Sequence, residues 1–198
     1  MSFELKKCFS KENKIFDGLY EIQPEVYGDD RGFFIEVFSE KEFSKAGLNV
    51  KFVQDNQSFS KKGVLRGLHF QTVHPQGKLI HVPCGKIYDV AVDLRKGSET
   101  FGLYYGTVLD SQKHNALYIP GGFAHGFYAV TDALVSYKCT DFYDPKGEGG
   151  LMWNDPALCV DWKQFLFDNT PFLSRKDMNY PPFNAAFDYF KAESVSEN

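Results

Sequence analysis

Short apolar runs with period-two alternation dominate the chain, separated by clusters of Gly, Pro, Asp and Ser. From residue 78 the pattern is regular. It predicts strands over Lys78–Val82, Lys86–Leu94, Gly102–Leu109, Ala116–Ile119, Ala124–Val130 and Leu134–Thr140. The segments between them are turn compositions: Pro83-Cys84-Gly85, Arg95-Lys96-Gly97-Ser98, Asp110-Ser111-Gln112, Pro120-Gly121-Gly122 and Thr131-Asp132. No helix-length periodic segment lies between these strands. That argues against a βαβ fold and for an all-β sandwich or barrel.

The first third is less regular. Ile15–Ile22, Phe33–Phe38 and Val50–Ser58 read as strands, and Gly28-Asp29-Asp30-Arg31-Gly32 reads as a turn. Ser39 is placed to cap a short helix, with Glu42 as its capping-box partner and Gly47 closing it. Met1 to Asn13 is polar and reads as a loose extension. From Asp144 to residue 198, repeated Pro and Gly predict a segment that wraps the core rather than a second one. Asn184–Lys191 is expected to add a final helical turn or two, capped by Asn184. The organisation expected is one domain over residues 1–198.

One stretch departs from the plain apolar pattern. Gly63-Val64-Leu65-Arg66-Gly67-Leu68-His69-Phe70-Gln71 places an arginine and a histidine in an apolar strand. A cation in such a run needs a partner or a role. Strict alternation sends Arg66 and His69 to opposite faces. Both can serve one pocket only if Gly67 breaks the alternation, and glycine within a strand is a common bulge position.

Parity sorts other candidates. Gln54 and Asn56 share one face. Asp89 lies mid-strand on the smaller-residue face of Lys86–Leu94, where a neighbouring arginine is one partner it could take. Val135, Tyr137 and Cys139 share a face, and His125 sits between two aromatics. For His69, His125 and Tyr137 the residues alone leave a structural and a catalytic role both open. His74, His81 and His114 read as surface or structural.

Composition narrows the function classes. Aromatic content of 17%, with 20 Phe and 11 Tyr, favours strands. A net charge of −4 offers no general attraction to nucleic acid or anionic membrane. No apolar run approaches a membrane span, and the charged start has no secretory h-region. Cys8, Cys84, Cys139 and Cys159 lack C-x-x-C or zinc-type spacing and are expected as free thiols, in keeping with a cytoplasmic protein. Small β-barrels that hold a metal use His-x-His with a following Glu and a later His. Here Gln71 stands where a second histidine would be, so no metal site is expected. Gly-rich phosphate loops are absent from the sequence as well.

The motifs together resemble a known family. GDDRGFF (28–34), FVQDN (52–56), KKGVLRGLHFQ (61–71), PQGKL (75–79) and YDVAVDLRKGS (88–98) occur in one order with IPGGFAHGF (119–127), YKCTDFYDP (137–145), WNDP (153–156) and LSRKD (173–177). The chain is similar over residues 18–177 to dTDP-4-dehydrorhamnose 3,5-epimerases, metal-free cupin-type enzymes of nucleotide-sugar metabolism. The resemblance implies a cupin jelly roll that needs no cofactor, usually a homodimer with N-terminal segments crossing between subunits. It implies His69 as base, Asp177 as its carboxylate partner, Tyr137 as acid on the opposite face and Lys78 beside the developing oxyanion. It implies Arg66 and Lys176 as diphosphate contacts, and Tyr143 as the ring stacking on the base. Arg31, Glu36, Gln54, Asp55, Asn56, His125 and Glu148 are implied as further ligand contacts.

Two positions depart from the family's common pattern: Gly121 stands where Glu is usual, and Gln57 where His is frequent. Members with the same catalytic residues epimerise one carbon only, or act on GDP- or CDP-linked sugars. Two other readings are a catalytically inactive cupin that binds a nucleotide sugar and a metal-dependent cupin dioxygenase. Retention of His69, Tyr137, Lys78 and Asp177 argues against the first, and the missing His-x-His against the second.

Overall fold

The alternating runs form two facing antiparallel sheets in the computed structural model, which describes residues 2–166 and 170–190. In chain order the strands are β1 (Phe3–Phe9), β2 (Ile15–Pro24), β3 (Val26–Asp29), β4 (Gly32–Ile35), β5 (Gln54–Ser60), β6 (Leu65–Gln71) and β7 (Lys78–Cys84). They continue with β8 (Lys86–Asp93), β9 (Tyr104–Asp110), β10 (Ala116–Ile119), β11 (Phe123–Ala129), β12 (Ala133–Cys139) and β13 (Glu148–Gly150). A six-stranded sheet runs β1-β2-β10-β7-β12-β5 and a five-stranded sheet runs β13-β6-β11-β8-β9. This is the jelly roll expected of a cupin. Strands β3 and β4 form a separate two-stranded hairpin.

Alternation decides where the core lies. Ile80, Val82, Ile87, Ala91, Leu117, Phe127 and Val135 point between the sheets. The opposite face of β8, with Tyr88, Val90 and Val92, is also apolar. It is covered by the C-terminal segment, whose Leu151, Leu158, Trp162 and Tyr189 are buried against it. A strand buried on both faces explains why 86–94 reads as an almost unbroken apolar run. The outer face of the six-stranded sheet is closed by Phe43 of helix α1 (Glu40–Lys45), packed with Ile22, Leu79 and Tyr118.

Several expectations change. Residues 3–9 are strand β1, antiparallel to β2, and not a loose extension. Leu5 and Phe3 pack on the outer cluster, a contribution that the polar composition of the segment conceals. The strand expected at Val50 starts at Gln54, because Val50 and Phe52 turn toward the helix cluster instead. The strand at Phe33 ends at Ile35, and the Phe38 ring meets Phe43 and Phe52 at 5.1 and 5.0 Å. Ser39 caps α1 by accepting the Glu42 N–H at 3.4 Å, but the Glu42 carboxylate bonds Lys45 at 2.7 Å instead of closing a capping box. The final segment through Phe190 is turns, not helix: Asn184 accepts the Ala186 N–H in an Asx turn, and Lys191 lies outside the described residues. All four cysteines are free, Cys8 and Cys139 buried and Cys84 and Cys159 exposed.

Candidate active site

The stretch around Gly67 does what parity alone forbids. In the β6–β11 ladder, His69 lies opposite His125 and Arg66 opposite Phe127, with the register shifted in between. Two residues of β6, Gly67 and Leu68, therefore face one residue of β11, Gly126. The extra residue resets the alternation. Leu65, Leu68 and Phe70 keep to the outer core, while Arg66 and His69 both line the cavity between the sheets. Gly67 has φ +122°, and a Cβ there would lie 2.5 Å from the Gly126 Cα and 2.8 Å from the His125 carbonyl oxygen. Only glycine satisfies both the torsion and the contact.

The two sheets supply different chemistry to this cavity. The five-stranded sheet contributes Arg66, His69 and His125; the six-stranded sheet contributes Ser58, Lys78 and Tyr137. A second hollow shares His69, Lys78 and Tyr137 and continues to Gln54, Asn56, Gln71, Gln76, Cys139, Tyr143 and Glu148. Together they form an elongated site with a histidine and a tyrosine on opposing sheets.

His69 is held from behind. Its Nε2 lies 2.5 Å from Asp177 Oδ1, and Asp177 is buried. Asp177 also accepts from Ser174 Oγ at 2.6 Å and from the Gly67 N–H at 3.4 Å. Burial, the largest single influence, pushes the Asp177 carboxyl up. The bonds from His69, Ser174 and the Gly67 N–H outweigh it and hold the group below the ordinary carboxylate range. The imidazole therefore has one nitrogen tied to a carboxylate and Nδ1 left for chemistry. Burial pushes the Lys78 ammonium down and the Tyr137 phenol up, so each neutral form is favoured relative to water.

At the far end of the site Tyr143, Glu148 and Lys176 converge. Tyr143 OH donates to Glu148 Oε2 at 2.5 Å, and Lys176 Nζ lies 2.5 Å from the same oxygen. Burial raises the Glu148 carboxyl, and the bonds from Lys176 and Tyr143 more than offset this, leaving it lowered. Gln54 accepts the Tyr143 N–H at 3.1 Å and donates to Asn56 at 3.0 Å, which links this cluster to β5. Arg66 is anchored across the sheets to Ser60 Oγ at 3.0 Å and the Phe59 carbonyl at 3.2 Å.

Three expected ligand contacts lie elsewhere. Asp55 is on the other face of β5 from Gln54 and Asn56 and pairs with Lys138 at 2.6 Å. Arg31 sits at the tip of the β3–β4 hairpin, paired with Asp29. Glu36 follows that hairpin, with Oε2 buried and without a hydrogen-bond partner among the described residues. None of the three lines the cavity.

Two contributors, Tyr180 and Ser174, carry no signal of their own in the sequence. Tyr180 places its ring edge-on to His69, with centroids 5.5 Å apart, and its OH lies 3.5 Å from Glu148 Oε1. It comes from the wrapping segment, where no periodicity marks it. Ser174 is legible only as part of LSRKD. Asp89 pairs with His125, Nε2 to Oδ1 at 2.8 Å, and not with an arginine. Its mid-strand position on the smaller-residue face of 86–94 is its sequence signal, and the structure turns that face inward. Among the described residues, no group of three or more His, Cys, Asp or Glu is placed to hold a metal. No helix among them is long and apolar enough to cross a membrane.

Comparison with known proteins agrees with this geometry. A family profile described as dTDP-4-dehydrorhamnose 3,5-epimerase matches residues 13–185. A dTDP-4-dehydrorhamnose 3,5-epimerase of Methanothermobacter thermautotrophicus is 50% identical over 167 residues, covering 84% of this chain and 90% of that protein. The crystal structure of the Elizabethkingia anophelis NUHP1 dTDP-4-dehydrorhamnose 3,5-epimerase superposes with a TM-score of 0.83 at 45% identity, covering 92% of this chain and 97% of that one. A dTDP-6-deoxy-D-glucose-3,5-epimerase from Legionella pneumophila Philadelphia 1, solved with dTDP-4-keto-L-rhamnose, gives 0.82 at 43% identity, covering 90% and 93%. With the jelly roll, the His69–Asp177 pair and the facing Tyr137 already in place, these matches establish that the chain belongs to the dTDP-4-dehydrorhamnose 3,5-epimerase family.

Proposed function

We propose that the protein epimerises C3 and C5 of dTDP-4-dehydro-6-deoxy-D-glucose to give dTDP-4-dehydro-L-rhamnose. The observation that carries the reading is that His69 and Tyr137 face one cavity from opposite sheets, with Lys78 lining it as well. In each half-reaction His69 Nδ1 takes the proton from the carbon next to the ketone. The C–H electron pair forms the enolate, whose charge rests on the ketone oxygen. The Lys78 ammonium, which lines the same cavity, stabilises that charge. Tyr137 then delivers its proton to the other face of the same carbon. The phenolate recovers a proton and His69 releases one to solvent, so the cycle closes without a redox change. Asp177 orients His69 and stabilises its charged form.

The remaining residues bind. Arg66 and Lys176 meet the diphosphate, with Lys176 leaving Glu148 to do so. Tyr143 stacks on the base, and Gln54, Asn56, His125 and Glu148 take polar groups of the ligand. The protein acts as a homodimer in which the β3–β4 hairpin crosses to the partner and brings Arg31 and Glu36 to its site. Support comes from the hairpin, which pairs with no other strand among the described residues and leaves Phe33 and Phe34 61% and 58% exposed.

The deciding experiment is incubation with the 4-keto sugar nucleotide in deuterated buffer. Deuterium at both C3 and C5 supports the reading, and deuterium at C3 alone assigns a 3-epimerase. No exchange with dTDP-, GDP- or CDP-linked substrate overturns the activity.

A further inference from the structure

We propose that Asp89 is a positioning residue that fixes the tautomer and orientation of His125, so that His125 Nδ1 is presented to a hydroxyl of the bound sugar. The proposal rests on the epimerase reading of the cavity and adds to it a second histidine–carboxylate pair.

Asp89 lies mid-strand in β8 and is wholly buried. Oδ1 meets His125 Nε2 at 2.8 Å, while Oδ2 is buried with no hydrogen-bond partner among the described residues. A buried carboxylate with a free oxygen is costly to the fold. Its neighbours on β8 in the same interior layer, Ile87 and Ala91, are apolar, and Phe127 faces it from β11. A hydrophobic residue there would fit that packing without the penalty. The polar groups acting with it come from other elements: His125 of β11 by hydrogen bond, and Lys78 of β7 through the electrostatic field. Both line the cavity.

His69 and His125 are direct cross-strand neighbours, and each has one nitrogen on a buried aspartate. Asp177 shares its charge among His69, Ser174 and the Gly67 N–H. Among the described residues, Asp89 has His125 alone as its hydrogen-bond partner. With Nε2–H donated to Asp89, the lone pair of Nδ1 is the acceptor left for the ligand. A lining of this kind recognises a hydroxyl, and the sugar carries one beside the reacting carbons. Correct placement of that hydroxyl matters at the transition state, where small displacements of the reacting carbon are costly.

The test uses the full chain with Asp89→Asn, and with His125→Gln as background. Imidazole 15N–1H spectra of ligand-free protein should show His125 protonated at Nε2 in the wild type. D89N should show Nδ1–H or a mixture. Steady-state kinetics should show kcat lowered about 30-fold in D89N, with dTDP affinity within about twofold. In the H125Q background, D89N should add less than about twofold, because its effect passes through His125. An unchanged tautomer in D89N, an unchanged kcat, or a full additive loss in the H125Q background each overturns the proposal. If D89N does not fold, the wild-type spectrum and the kinetics of Asp89→Glu decide. Nδ1–H in the wild type, or wild-type kcat in D89E despite the displaced carboxylate, overturns it. The spectroscopic arm needs no turnover, so failure of the proposal and failure of the epimerase reading are distinguishable.

Discussion

His69 and Tyr137 divide the proposed chemistry, and their variants separate its halves. His69→Ala should lower deuterium incorporation at both carbons by about a thousandfold, since general-base removal is lost for each. Tyr137→Phe should lower epimerised product far more than proton exchange, because His69 can still return a proton to its own face. Equal loss of both signals in the tyrosine variant removes it from the acid role. Asp177 also links activity to acid stability. Its carboxyl is lowered in the folded chain despite burial, so its contribution is present above the ordinary carboxylate pKa of about 3.9 and is lost as pH falls through the folded value. Melting temperatures of wild type and Asp177→Asn should differ near neutrality, and the difference should begin to shrink below about pH 4 and vanish only beneath the lowered folded value. A constant difference across that range would show that the charge is not the source.

At the level of elements, the β6 bulge is the device that makes the site. Arg66, His69 and Gln71 come from one strand, yet alternation without the bulge buries either the arginine or the histidine in the outer core. Gly67→Ala should cost about 2 to 4 kcal/mol and displace His69, through the positive φ and the contact with Gly126. Denaturant unfolding and exchange kinetics on the same variant measure both effects. Helix α1 serves stability instead, since its Phe43 is fully buried under the six-stranded sheet. Phe43→Ala should cost about 3 to 5 kcal/mol in denaturant unfolding with little change in the kcat of the folded fraction.

For the whole molecule, the sharpest expectation concerns the β3–β4 hairpin. Arg31 and Glu36 reach a site only if the hairpin leaves its own chain, as the proposed homodimer requires. Light scattering should give twice the 22.6 kDa chain mass. Phe33→Ser with Phe34→Ser should shift it toward monomer and lower activity together. A monomeric, fully active wild type would sink the exchange of hairpins.

Much is legible in the chain itself, and for a physical reason. Period-two alternation with Gly, Pro and Asp punctuation is a local property, so the all-β class and the strands from residue 78 onward follow from it directly. His69 and Arg66 stand out because charge in an apolar run is locally anomalous, and the need for a bulge at Gly67 follows from parity. The family motifs add Asp177, Lys78 and Tyr137. What required the tertiary structure was anything that depends on two distant segments meeting. The pairing of residues 3–9 with β2, the contact of Tyr180 with His69 across 111 residues of chain, and the partner of Asp89 are all of this kind. Local pattern records which face a side chain takes; only the closing of one sheet over the other decides what it meets there.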